Sequence, residues 1–206
     1  MKILHLIYTT GISGAEKYLL ELLPGLKQHG IDCEFMCIGP QKSKAVLNDY
    51  CAQMSANRIK TTLILKKKWG YLNIPRKINK YLDQNNIKII HSHLIIGDML
   101  AVMVKTFYNS SIRIFSTKHG YQESYLIKYG RGQKRIPYDP YYFFSKVISS
   151  KIDEHITISR SVSEMYNVLK IGGQKMKYVH HGVNKGQADT QEIASEKFAT
   201  QNFSSQ

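Results

Sequence analysis

The chain has 206 residues, enough for one sizeable core, and carries 29 Lys and Arg against 15 Asp and Glu, a formal charge of +14. So basic a protein meets polyanions: nucleic acid, anionic lipid headgroups or phosphorylated substrates. No apolar run is long enough to cross a bilayer, the N-terminus "MKILHLIYTTG" is too short in its apolar part for a secretory signal, and a cytoplasmic address is the expectation.

In chain order, "KILHLIY" reads as a buried strand, followed by a helix over residues 14–29 with Ala15, Leu19, Leu22, Leu23 and Leu26 at helical spacing. Pro24 and Gly25 are expected to bend or shorten that helix. "CEFMCIG" is a second strand, and Cys33 and Cys37, four apart, face one side as small buried hydrophobes. With Cys51 the cysteines number three and form no CxxC pair. "KAVLNDYCAQM" is a helix, "TTLILK" a strand, and "YLNIPRKINKYLDQNN" a helix with Pro75 near its start. "IKIIHSH" is a strand leading to helical "GDMLAVMVKTFY", and "IRIFSTKHG" is a further strand. A tyrosine-rich loop then precedes a helix from about Pro140. "HITIS", the helix "SVSEMYNVLKIGG" stopped by its glycines, and the strand "MKYVHHGVN" complete the pattern. Strands apolar on both faces, alternating with helices, predict an α/β fold: a Rossmann-like, doubly wound parallel sheet. Residues 1–184 are expected to form that domain and 185–206 a polar, weakly ordered tail.

Such sheets bind ligands at the carboxyl ends of their strands, and there the polar residues gather. After strand one comes "TTGISGAE", where Ser13 and Glu16 have capping-box spacing. Gly11 and Gly14 are expected to supply positive φ or a close approach, and the helix N-terminus behind them suits a phosphate. The turn has neither GxGxxG nor GxxxxGK[ST], which excludes the dinucleotide fingerprint and the nucleotide-hydrolysing P-loop. Histidines end three strands, in His91-Ser92-His93, His119-Gly120 and His180-His181-Gly182. Carboxylates are scarce at those ends, so no metal is expected.

Taken in order, "SGAEKYLLELLPGLKQHG", "IKIIHSHLIIGDMLA", "FSTKHG", "ITISRSVSE" and "YVHHGVN" resemble the N-terminal domain of family 4 retaining glycosyltransferases of GT-B fold, over nearly all of residues 1–184. Two positions depart: Ser13 stands where the family has a first glycine, and His181-Gly182-Val183-Asn184 where it has Asn-Gly-Val/Ile-Asp. The resemblance implies that His119 contacts the transferred sugar as the catalytic-centre residue, with Gly14, Ser13 and Gly120 binding the donor. It implies acceptor-side roles for His93, Tyr121, Tyr125 and Arg131, the last three of which read equally well as part of a mobile loop rich in polar residues. The donor it implies is a nucleotide sugar, used without cofactor or metal, and the acceptor it implies is a glycan or lipid-linked precursor. The family's C-terminal nucleotide-sugar-binding domain is expected to be absent, so that the chain is incomplete alone or joins a separate chain.

Between Asp49 and Asp83 no acidic residue interrupts a basic stretch in which Lys66, Lys67, Lys68, Trp69, Arg76, Lys77 and Lys80 are candidates for an anionic membrane surface. The simpler alternative is a solvated helix face whose apolar side lies on the sheet. Peripheral attachment at the inner face of the cytoplasmic membrane is the resulting expectation. Rival readings are a basic nucleic-acid-binding α/β module, a nicotinamide-dependent oxidoreductase and a non-catalytic Rossmann-like domain. Nucleic acid is not expected as a partner, because zinc spacing, RNP motifs and a recognition helix are all lacking.

Overall fold

The computed structural model describes residues 1–66, 73–120, 140–172 and 176–180. Seven strands form one sheet: β1 (Lys2–Tyr8), β2 (Asp32–Pro40), β3 (Lys60–Lys66), β4 (Ile89–His93), β5 (Arg113–Lys118), β6 (Glu154–Thr157) and β7 (Met176–Tyr178). Their order is β3-β2-β1-β4-β5-β6-β7, and every pairing is parallel. This is the expected doubly wound arrangement. The chain winds outward from β1 to β3, then returns to place β4 on the other side of β1, so the topological switch lies between β1 and β4.

Helices α1 (Gly14–Gln28) and α2 (Lys44–Ala56) cover one face, packing Ala15, Leu19, Leu23, Leu47, Tyr50 and Met54 onto Ile7, Phe35 and Cys37. Helices α3 (Asn73–Gln84), α4 (Leu94–Phe107) and α5 (Pro140–Ser150) cover the other, over Leu4, Leu6, Met36, Ile38, Ile90 and Ile114. A smaller cluster joins Tyr142 to Tyr166, Leu169 and Ile171 around α6 (Arg160–Val168). The strands alternate these two inward directions, which explains why they read as apolar throughout. Both Cys33 and Cys37 are buried beneath α1 and α2, as small hydrophobes would be.

Three local expectations need correction. Helix α1 is neither stopped nor shortened by Pro24 and runs on to Gln28. A proline costs one backbone bond, to the carbonyl of Leu20, and the Leu19–Leu23 stripe packed on the sheet holds the helix across that gap. Helix α4 begins at Leu94, directly after β4, without an intervening loop. The handover is made by Leu94 itself, whose φ of 64° lies in the left-handed region. Helix α6 ends before its glycines, at Val168, because Lys170 takes the left-handed position (φ 51°). Pro75, by contrast, lies in the first turn of α3 as expected, where its missing N–H has no intrahelical partner to lose.

The loop after β1 is held from behind. Thr9 donates its backbone N–H to Ile38 (2.9 Å) and its hydroxyl to the Gly11 carbonyl (2.7 Å). A Cβ on Gly39 would collide with the Thr9 carbonyl and the Leu47 side chain. The glycine therefore lets β2 pass close enough to fix where β1 releases the chain.

Candidate functional site

The turns after β1, β4 and β5 meet on one rim, at the carboxyl ends of three adjacent strands and across the switch point. A cleft of about 450 Å³ opens there. Ser13 and Gly14 form one wall, Leu94 and Asp98 another, and Lys118, His119 and Gly120 the third. Thus four of the expected site residues, Ser13, Gly14, His119 and Gly120, line a single cavity.

The first wall is the N-terminus of α1. Glu16 reaches back to accept from the backbone N–H of Ser13 (2.9 Å), and the Ser13 hydroxyl donates to the same carboxylate oxygen (2.6 Å). The cap holds the first turn rigid while its partial positive charge faces the cleft. Gly11 and Gly14 do not have left-handed φ, which corrects that part of the expectation. What they provide is room: a Cβ at either would meet nothing within 4 Å, so another group can lie against the backbone.

The third wall is set by histidines. His119 is half-buried, and Tyr18 of α1 meets its ring edge-on, with centroids 5.2 Å apart. Its Nε2 bonds to Nδ1 of His93 (3.1 Å), and Nε2 of His93 bonds to Nδ1 of His5 (3.2 Å). His93 was expected on the acceptor side, but it is fully buried and reaches the cleft only through His119. Its position follows from the pleat: His93 pairs with Ile7 and Thr117 in the ladder and points beneath α1. His91, two residues earlier on the same face, stacks on His93 (4.6 Å) and bonds through Nε2 to the Thr117 hydroxyl (2.7 Å). Burial, reinforced by the neighbouring rings, holds His5 and His93 well below the usual histidine range. Burial and His119 bring His91 down to about 4, against an opposing pull from Asp98.

His5, His91 and His93 each offer a nitrogen within 4.8 Å of the others, a grouping worth testing as a metal centre. Ligands of one ion aim their lone pairs at a common third point. Here Nδ1 of His5 and Nε2 of His93 aim at each other, Nε2 of His91 is engaged by Thr117, and the His91 ring is tilted by only 20° from that of His93. His5 and His93 are joined by a hydrogen bond, and His91 stacks on His93.

Sequence reading missed the two charged residues of the cleft walls. Lys118 and Asp98 form a buried ion pair, with side chains 5% and 0% exposed, and Asp98 also accepts from the Ser92 hydroxyl (2.6 Å). The Lys118 ammonium lies 5.8 Å from the Tyr166 ring centre. His5 was missed as well, since one histidine within "KILHLIY" looks like a core residue; its ladder partner His91 was the available clue.

Of the other candidates, Lys66, Arg76 and Lys77 line a second cleft of about 330 Å³ beside Ile64 and Ile74. Arg76, Lys77 and Lys80 lie on the exposed face of α3, while Ile74, Ile78 and Leu82 enter the core. Tyr81 packs against that core and donates to Glu34 (2.6 Å), so these apolar residues are interior. Lys67, Lys68, Trp69, Tyr121, Tyr125, Arg131 and the tail from 185 lie outside the described residues.

A sequence model described as Glycosyltransferase Family 4 matches residues 12–187. The chain belongs to that family. No curated protein matches it. Among solved structures, a glycosyltransferase from Rickettsia africae is similar at 15% identity and TM-score 0.62, over 96% of this chain and 49% of that one. The lipopolysaccharide outer core galactosyltransferase WaaB is similar at 17% identity and TM-score 0.61, over 89% and 46%. Anabaena Alr3699/HepE, solved with UDP, is similar at 12% identity and TM-score 0.62, over 89% and 45%. The shared feature is the fold: a Rossmann-like domain of the GT-B type. The chain spans about half the length of these structures.

Proposed function

We propose that this chain supplies one wall of a retaining hexosyltransferase, which moves a hexose from a nucleotide sugar to a lipid-linked or polysaccharide-precursor acceptor. The observation that carries the reading is the convergence of Ser13, Gly14, His119 and Gly120 on one cleft at the switch point of the sheet. Family membership and the UDP held by the Anabaena protein support a nucleotide-sugar donor.

In this reading the donor's diphosphate lies against the uncrowded backbone at Gly14, facing the N-terminal charge of α1. Negative charge develops on the departing diphosphate during transfer, and fixed N–H dipoles meet it without reorganising. His119 hydrogen-bonds a hydroxyl of the transferred sugar and orients it, and Gly120 keeps the neighbouring backbone out of the way. The opposite wall, with most of the grip on the nucleotide, belongs to a second domain, in the same polypeptide or a separate chain. The isolated chain is therefore expected to bind donor weakly and to turn over little of it.

Titration calorimetry or ligand-observed NMR with UDP-sugars tests this. His119→Ala is expected to weaken binding about tenfold, the loss of one good hydrogen bond. Equal affinity in both proteins, or a preference for NADH over UDP-sugars, would contradict the assignment.

We also assign the half-buried Lys66 and the exposed cations Arg76, Lys77 and Lys80 to an anionic membrane surface at the inner leaflet. Support comes from α3, which buries its apolar stripe in the core and leaves the basic face outward. Among the described residues no helix is long and apolar enough to cross a membrane. Near an anionic surface each such cation contributes about 1 kcal/mol, so Arg76→Ala/Lys77→Ala/Lys80→Ala should lower vesicle partitioning about a hundredfold. Equal sedimentation with anionic and neutral vesicles would remove this part of the proposal.

A further inference from the structure

Three imidazoles run in line from beneath α1 to the cleft: His5, His93, His119. Both links are end-on. The ring centres are 5.5 Å apart in the first pair and 5.4 Å in the second, while the bonded nitrogens are 3.2 Å and 3.1 Å apart. The difference is one ring radius on each side, as a near-linear N–H···N bond requires. Both nitrogens of His93 are therefore committed. At the inner end, Nε2 of His5 is buried and has no hydrogen-bond partner among the described residues. At the outer end, Nδ1 is the nitrogen of His119 that is not bonded to His93.

A neutral imidazole carries one N–H and one lone pair. Following the protons along the line leaves two arrangements: all three rings protonated on Nδ1, or all three on Nε2. A single ring in the other tautomer would set two lone pairs, or two N–H groups, face to face. No water reaches His5 or His93, both fully buried, so such a mismatch would bear the whole desolvation cost. Burial also keeps these two rings neutral at physiological pH, where the rule applies.

We propose that His5 and His93 are positioning residues that lock the tautomer of His119, and thereby decide whether it offers a hydrogen-bond donor or an acceptor to the sugar. The expected state is Nδ1–H throughout. It leaves a lone pair, rather than an N–H, unmatched at the buried end, and it puts the N–H of His119 on Nδ1, the nitrogen remote from His93. A donor there suits the oxygen-rich sugar and diphosphate of the proposed substrate, and in this respect the inference rests on the reading of the cleft. His91 takes no part in the line, because its Nε2 is engaged by Thr117.

Long-range proton–nitrogen correlation spectra of the ¹⁵N-labelled full chain, recorded at pH 7.5 without ligand, report each ring's tautomer directly. One shared tautomer across His5, His93 and His119 supports the lock; a mixed set overturns it. His5→Phe keeps a planar ring, though a larger one, and removes the inner bond, so His119 should show averaged ring-nitrogen shifts and bind UDP-sugar about threefold to tenfold more weakly. His5→Asn, whose amide can donate or accept at the same place, should relax the tautomer equally at a smaller loss of melting temperature. A purely structural role would lower the melting temperature of either variant and leave the His119 nitrogens unchanged, which also overturns the proposal. A locked line in a protein that binds no nucleotide sugar would instead sink the reading of the cleft alone.

Discussion

Lowering the pH from 7.5 to 5 is expected to remove a large part of the domain's stability. His5 and His93 are buried and neutral, His91 is held down to about 4, and an unfolded histidine titrates near its ordinary 6.5. Their folded values are depressed. As pH falls below 6.5, the unfolded chain takes up protons that the folded chain refuses, so stability present at neutral pH is progressively lost. Each ring costs about 2 kcal/mol by pH 5, and the cluster about 4–6 kcal/mol, against a typical domain stability of roughly 5–15 kcal/mol. Urea unfolding at a series of pH values should give a slope of between two and three protons from pH 6 to 5. His5→Phe/His93→Phe should flatten that slope. A pH-independent midpoint across this range would mean that the rings titrate normally and are not enclosed as described.

Asp98→Ala is expected to cost about 3–5 kcal/mol, the penalty for leaving a partner charge buried and unpaired. The carboxylate sits at the centre of a small network, with the Ser92 hydroxyl on one oxygen and the Lys118 ammonium on the other. Removing it strands Lys118 below the cleft, where the Tyr166 ring gives the ammonium only weak compensation. For a chain of this size, a drop in melting temperature of roughly 10 °C follows. Asp98→Asn retains the shape and the contact with Ser92 and should lose less. The double change Asp98→Leu/Lys118→Met removes both charges and should recover much of the loss, because a buried pair is often matched by apolar residues of similar size. A change below about 1 kcal/mol in Asp98→Ala would show that water reaches Lys118 freely.

The sheet was legible because its signals are local. Seven apolar runs alternate with helical spacing, and every polar turn that matters follows a strand. The order of the strands is not a local property; the switch between β1 and β4 is settled by how the crossovers pack, and no periodicity reports it. The rim residues could therefore be named individually, while their convergence had to wait for the topology. Pro24 misled because helix propensity was weighed without the packing of Leu19 and Leu23. Asp98 and Lys118 escaped because each looks like an ordinary surface charge on its own element, and their pairing joins α4 to the end of β5. His5 escaped for the opposite reason: it stands inside an apolar strand, and only its register against His91 reveals the stack. The positive φ expected at Gly11 or Gly14 lies elsewhere on the rim, at Gly120 and at Leu94, where the direct passage from β4 into α4 demands it.

The most direct measurement is an amide chemical-shift map of the ¹⁵N-labelled chain titrated with a UDP-sugar to millimolar concentration. The cleft as described here predicts that perturbations concentrate at Ser13–Gly14 and His119–Gly120, with smaller ones at Leu94 and Lys118. No perturbation, or perturbations confined to the basic face of α3, would contradict it.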